Sequence, residues 1–437
     1  DSPAGIYTSV FQQFFESISL MLSQHGPLIM KYYGLTYPNA LQYVINKIQS
    51  EIDSQIGLLG DTFYDMRRID KLLQDLKLYT FPILSKRMQE FRQDIAPTKL
   101  VEEEIYDTEI VSVVSVGDIM EEFSSIFHYW ALYCKFICER YFPPSKEGEQ
   151  LQLQPVMANA QFNNKIHTKL FPAFEKMYIY YFRRSLEKAI SIEEVPSLDN
   201  YLADSEIAAN LSVDQPPSVS VVEDVTLVLN TTLRSVVDSS QTTAVKNFVN
   251  EGYKIIQKDL IAGYLMKGLR DNQPRYNSVL LLGTVSEVVS SPQLSRAGTP
   301  QPEASGSIGF LKGAASSALG SVVGSGVTAA TGTQHNPKLV KFIVLLNSTA
   351  MGQEYFTRIV TNITDKDYYL GNNFPFKNDK VLVELVLKDE FLDPFMTTTN
   401  KLIQENLIVL YNQSIKQALS RLVNEFLPDA QGYTLYS

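Results

Sequence analysis

The chain has 437 residues, of which 45% are hydrophobic, and carries a net charge of −10 from 38 basic and 48 acidic side chains. That length suits two to three domains, with apolar material for a sizeable core. The acidic balance argues against general nucleic-acid binding, whose affinity comes from phosphate neutralisation. The two cysteines, Cys134 and Cys138, argue against a disulfide scaffold and favour a reducing compartment.

Taken in chain order, the apolar pattern is helical. Tyr7, Val10, Phe11, Phe14, Ile18 and Leu22 recur at three- and four-residue steps, and Gly26 with Pro27 is expected to stop that helix. Pro38 opens a second pattern, with Leu41, Ile45, Ile48, Ile52, Ile56 and Leu59 on one stripe that continues, with interruptions at Gly57 and Gly60, to about Leu78. Such a stripe covers close to 40 residues, or about 60 Å if unbroken. An acidic patch, EEEIYDTE, fills 102–109. Ser115 is expected to cap a helix carrying Val116, Ile119, Phe123, Phe127, Trp130, Cys134, Ile137 and Tyr141, which Pro143 and Pro144 end. A further helix is predicted over 162–190 with an interruption near Pro172.

Helical spacing resumes from Val221 to Leu260, and 279–289 is an apolar extension. It returns at Leu339–Val360 and again from Val381 to Leu427. VLVELVL at 381–387 could pass for a strand, but its flanks are helical. No fixed repeat period is visible. The expected fold is all-α, an elongated rod of stacked helical bundles with a long disordered loop. Its expected parts are an N-terminal bundle at 1–144, a middle bundle at 145–290 with a polar linker at 196–218, a Ser/Gly/Pro/Ala loop at 291–336, and a C-terminal bundle at 337–437.

Material for catalysis is sparse. Four histidines occur, at 25, 128, 167 and 335, and no G-x-S-x-G, H-E-x-x-H or P-loop pattern is present. Cys134 and Cys138 lie one helical turn apart, but His128 is six residues before Cys134 and far round the helix. Buried core cysteines are therefore expected rather than a metal site. No metal, cofactor or catalytic residue is assigned. The helix over 162–190 carries Lys165, Lys169, Lys176, Arg183, Arg184 and Lys188 against Glu175 and Glu187. That set is a candidate basic contact patch for an acidic helix or anionic lipid, against the plainer reading of a solvated face.

The stretch SIGFLKGAASSALGSVVGSGVTAATGT, 307–333, is glycine-rich and nearly uncharged. As a helix it would place Ile308, Phe310, Leu311, Leu319, Val322 and Val323 broadly on a slanted apolar side, a candidate membrane contact that folds only on lipid. Its glycines each cost about 1 kcal/mol of helix propensity, and its flanks favour plain disorder. A docking peptide for a protein partner is the third reading. Ser290, Ser291, Ser295 and Thr299 in the same region are candidate phosphorylation sites. No run of about 18 strongly apolar residues predicts a membrane span. Asn-x-Ser/Thr triplets at Asn210, Asn230, Asn347, Asn362 and Asn412 would matter only in a secretory lumen. The first residue is Asp1 rather than Met, so the native start is expected to be missing.

HGPLIMKYYG at 25–34, preceded by the helix FQQFFESISLMLSQ, resembles the subunit-four family of the conserved oligomeric Golgi complex. His25, Pro27, Tyr32, Tyr33 and Gly34 stand in that family's arrangement. VEDVTLVLNTTLRSVVDSS at 222–240 and KFIVLLNSTAMGQEYFTRI at 341–359 resemble further family segments in the same order. In the latter the family's Glu eight residues after the Asn is replaced by Tyr355, with Glu354 one earlier. The resemblance implies the central part of a non-enzymatic vesicle tether of the helical-rod class, peripheral on the cytosolic face of the Golgi membrane. It implies a role in intra-Golgi retrograde transport, with sister subunits, SNAREs and their regulators as partners and no cofactor. A subunit of the exocyst or the endosomal Golgi-associated complex, and a helical enzyme with an unrecognised site, are the competing readings.

Overall fold

The computed structural model describes residues 3–81, 111–196, 216–275 and 337–426. The regular elements among these residues are all helical, so the all-α class read from the periodicity holds. The loop at 291–336, the candidate membrane residues within it, the candidate phosphorylation sites, the acidic patch, the extension at 279–289 and most of the linker lie outside the described residues. The chain divides into two compact units. The first takes in Asp1–Ser191, Asp224–Gly263 and Gln353–Thr397, the second Ile192–Glu223, Tyr264–Gly352 and Thr398–Ser437.

Helix α1, Ile6–Tyr33, buries Tyr7, Phe11, Phe15, Ile18 and Leu22, one face at helical spacing. It does not stop at Gly26 and Pro27: both lie inside it. Gly26 is buried where a side chain would touch Leu41 and Tyr141 at 3.6 Å, while Pro27 sits on the exposed side. Packing of that face carries the helix past a residue that breaks an isolated one.

The expected 40-residue stripe is two helices, α2 (Ala40–Met66) and α3 (Ile69–Leu78). The break falls at Arg67 and Arg68, with Arg68 at φ 51°. A reason is Glu122, 7% exposed, on α4 (Val113–Tyr141). Arg67 binds it through Nε at 2.8 Å and Nη2 at 2.6 Å, and Gly5 N–H donates to the same carboxylate at 2.8 Å. Helix α4 begins earlier than expected, with Ser112 at its cap position and Ser115 inside.

After the single turn α5 (Pro155–Ala158) the chain enters α6 (Gln161–Lys165), a π-helical turn at Ile166–Leu170, and α7 (Phe171–Ser191). The interruption expected near Pro172 takes this form: Phe171 N–H donates to Ile166 O, five residues back. Widening the turn accommodates a proline that supplies no N–H of its own. Helices α8 (Ser220–Asp238) and α9 (Thr242–Ile255) follow, joined at Ser240 with φ 58°. A π segment, Ile256–Met266, leads into α10 (Lys267–Asp271). The last stretch carries α11 (Pro337–Thr364), α12 (Asp367–Asn373), α13 (Asp379–Leu385), α14 (Asp393–Leu410) and α15 (Lys416–Phe426), with π segments at Val386–Leu392 and Tyr411–Ile415. VLVELVL is therefore helix, not strand.

The interior of the first unit is aromatic. Phe123 lies 4.9 Å from Phe63, 6.0 Å from Phe127 and 6.2 Å from Phe174 between ring centroids. The ladder runs on from Phe174 to Tyr178 at 5.1 Å and Phe248 at 5.8 Å. Trp130 packs among Phe15, Tyr133 and Phe162 at 5.8, 5.9 and 5.3 Å. Its indole N–H reaches Asn163 Oδ1 at 3.4 Å. Edge-on and offset rings add favourable quadrupole terms to the burial.

The second unit is tied by polar contacts to Glu193 and Val219. Lys341 and Tyr264 both bind Glu193. Ser348 Oγ accepts Val219 N–H at 2.9 Å and donates to Val344 O at 2.6 Å.

Candidate interaction surfaces

Asp53, Gly57 and Asp61 recur every four residues on α2 and form one face against α6. Asp53 accepts Gln161 N–H at 2.7 Å, capping α6 from outside. Gly57 O accepts from Lys165 Nζ at 2.8 Å. Asp61 then binds both Lys165 and Lys169, the latter at 3.0 Å. Burial pulls the Asp61 carboxyl up, but the bonds from the two lysines outweigh it and hold it below the usual carboxylate range. Lys169 also lies over the Tyr64 ring at 4.3 Å.

The rest of the basic set divides the same way. Arg183 meets Asp259 at 3.3 Å and covers the Phe81 ring at 4.3 Å. Arg184 is buried, bound to Glu187 at 3.0 Å, and Tyr79 OH donates to the same Glu187 oxygen at 2.6 Å. Burial pushes the Asp259 carboxyl above its ordinary value against the pull of Arg183. Lys176 is exposed and Lys188 half-buried. The six cations thus do not converge on one open face. Lys165, Lys169, Arg183 and Arg184 are held by carboxylates within the first unit. Three of those carboxylates, Asp61, Asp259 and Glu187, reach them from α2, the π segment after α9, and α7 itself, and the sequence gives no warning of the first two.

Cys134 and Cys138 are free thiols inside the first unit. Burial pushes the Cys134 thiol well above its ordinary pKa and raises that of Cys138, so neither is an activated nucleophile. His128 Nδ1 lies 3.1 Å from Asn373 Oδ1, to which Ser240 Oγ also donates at 3.0 Å. Among the described residues no group of three or more His, Cys, Asp or Glu is placed to hold a metal ion, and no helix is long and apolar enough to cross a membrane.

Two exposed apolar surfaces have no counterpart among the sequence-derived candidates. One, in the first unit, is the tip of the α1–α2 hairpin: Leu28, Met30, Tyr32, Tyr33, Leu35 and Tyr37. The other, in the second unit, is a stripe of Ile408, Tyr411, Ile415, Leu419, Leu422 and Val423 through α14 and α15. A signal for the first was available: between Glu16 and Lys47 the one lysine, arginine, aspartate or glutamate is Lys31.

These features define a helical-bundle protein with cross-linked polar seams, exposed apolar surfaces and inert thiols. A family model described as "COG4 transport protein, middle alpha-helical bundle" matches residues 1–269. Another, "Conserved oligomeric Golgi complex subunit 4, C-terminal", matches residues 342–437. The first covers more than half of the chain, which belongs to the family of conserved oligomeric Golgi complex subunit 4. The chain is similar to Conserved oligomeric Golgi complex subunit 4 of Saccharomyces cerevisiae, 24% identical over 433 residues, covering 96% of this chain and 49% of the relative. It is similar to the Schizosaccharomyces pombe protein of the same name, 25% identical over 200 residues, covering 44% of this chain and 26% of that one. The chain spans about half the length of the budding-yeast relative. No solved structure matches it.

Proposed function

We propose that this chain is part of a non-enzymatic subunit of a Golgi vesicle-tethering complex, acting in intra-Golgi retrograde transport and SNARE-dependent fusion. The observation that carries the reading is family membership over residues 1–269 and 342–437. On this reading its partners are the sister subunits of the complex, and SNAREs with their regulators. Its place is the cytosolic face of the Golgi membrane, as a peripheral protein. The construction suits that work: amphipathic helices present surfaces along their length.

The test is affinity purification of the tagged chain from its native cells, with the recovered proteins identified by mass. Recovery of the other subunits of the conserved oligomeric Golgi complex is expected. Recovery of exocyst or endosomal Golgi-associated subunits in their place would overturn the reading.

A further inference from the structure

The two ends of the α1–α2 hairpin are held to α4 differently. At the near end Phe63 packs between Tyr7 at 5.7 Å and Phe123 at 4.9 Å, and the Arg67–Glu122 pair closes the corner. At the far end, between Leu22 and Leu41, the one buried residue is Gly26. A Cβ on Gly26 would meet the side chains of Leu41 and Tyr141 at 3.6 Å, so the three residues are in close register. Pro27 follows it inside α1 and supplies no N–H to Ser23 O, so the helix lacks one rung there. The turn that joins the helices is itself hydrogen-bonded: Tyr33 O accepts the N–H groups of Thr36 at 3.1 Å and Tyr37 at 2.8 Å, and Tyr37 O accepts that of Ala40 at 2.9 Å. The far ends of α1 and α2 are thus coupled to each other more firmly than to α4.

The polar groups of the same seam are incompletely paired. Gln49, 1% exposed, accepts Tyr133 OH at 2.9 Å through Oε1, but its Nε2 has no hydrogen-bond partner among the described residues. Two turns earlier on the same face of α2, Gln42 Nε2 donates at 3.2 Å to Tyr141 O, the last carbonyl of α4. Gln42 Oε1 and the buried Tyr141 OH have no partner among the described residues. Of the five such buried atoms among those residues, three lie in this seam. Burying a polar atom without a partner costs free energy that contact with water returns. We infer that the far end of the hairpin, residues 23–49, parts from α4 as a local unit ahead of global unfolding, while the Arg67–Glu122 end stays closed.

Opposing terms set the balance. Opening exposes Leu41, Ile45 and the Tyr141 ring, which resists it. It hydrates Gln42 Oε1, Gln49 Nε2 and Tyr141 OH, which favours it, and a wholly apolar seam would have no such compensation. The aromatic interior is untouched, since Phe11, Phe63 and Phe123 are fully buried toward the near end. Segments with few buried apolar contacts open below the global stability. The opening belongs to the chain alone and does not rest on the tethering reading.

The experiment is hydrogen–deuterium exchange of the chain, read by mass spectrometry, with and without denaturant below the unfolding transition. Residues 44–48 and 57–63 lie in the same helix, α2. Amides of 44–48 are expected to exchange on the order of tenfold faster than those of 57–63, and with the weaker dependence on denaturant that a small opening gives. Tyr141→Phe removes only the unpartnered hydroxyl, and Gln49→Met/Tyr133→Phe removes the orphaned amide together with its paired phenol. Both are expected to slow exchange at 44–48 about threefold or more, with 57–63 unchanged as the check that the fold is kept. Equal protection of the two stretches overturns the inference, as does exchange at 44–48 that follows denaturant as steeply as global unfolding. Faster exchange there in Tyr141→Phe also overturns it, because the hydroxyl would then be bound in the folded chain. Exchange at 44–48 left unchanged by both variants counts the same way.

Discussion

The two halves of α1 differ in fate though not in hydrophobicity. Between residues 7 and 18, Tyr7, Phe11, Phe15 and Ile18 sink into the aromatic interior while Val10 stays exposed, and Arg67 and Glu122 fasten that end beside Gly5. From Leu28 to Tyr33 equally apolar residues stand in solvent. Periodicity reports which residues share a face; it does not report whether anything covers that face. What separates the halves is their neighbours: rings from α4 and α6 meet the first, while the second runs past them into a turn.

That contrast can be broken at graded strength. Phe123→Ala removes a ring from the centre of the ladder and is expected to lower stability by about 3–5 kcal/mol, read as an earlier midpoint in denaturant unfolding. Glu122→Ala leaves the half-buried Arg67 guanidinium beside Tyr7 with Pro3 O but without its carboxylate, and about 2 kcal/mol is expected to go. The double variant Arg67→Met/Glu122→Leu should recover part of that loss, and a double variant as unstable as the single would show that the pair itself is not the cause.

Asp61 is more exposed, and its effect is smaller. Its carboxyl is held below its ordinary value, so it contributes stability above the unfolded pKa near 4 that is lost as pH falls through the lower folded value. Asp61→Asn should therefore cost under about 1 kcal/mol at neutral pH, and the gap from the parent chain should close on acidification. A gap that is constant with pH would mean that the charge is irrelevant. Leu35→Ser, at the other end of the scale, is expected to shift the unfolding midpoint by no more than about 0.5 kcal/mol. A larger loss would mean that the tip is covered in solution.

Helix placement was largely legible, because buried faces such as Phe11, Phe15, Ile18 and Leu22 imprint a three- to four-residue rhythm on the chain. Helix ends were less so. The stop expected at Pro27 was overridden by packing around Gly26, and the interruptions expected at Gly57 and Gly60 lie inside α2 where it packs on Phe162 and Lys165, the break coming instead at Arg67 and Arg68, beside a carboxylate far along the chain. Both are long-range effects that no local window contains. The basic helix was visible as composition, yet the carboxylates that engage it, Asp61 and Asp259, are more than 70 residues from their partners Lys165 and Arg183. The hairpin tip was readable as the stretch without carboxylates; its exposure was not.

Trp130 is the single tryptophan of the chain, and it lies buried in the first unit beside Phe15 and Phe162. Nature has thus installed one optical reporter in one of the two units. Emission excited at the red edge of the absorption band watches the first unit alone, whereas far-ultraviolet ellipticity sums the helices of both. Unfolding curves that coincide by the two signals would mark the units as one cooperative system, and curves that separate would date the loss of each.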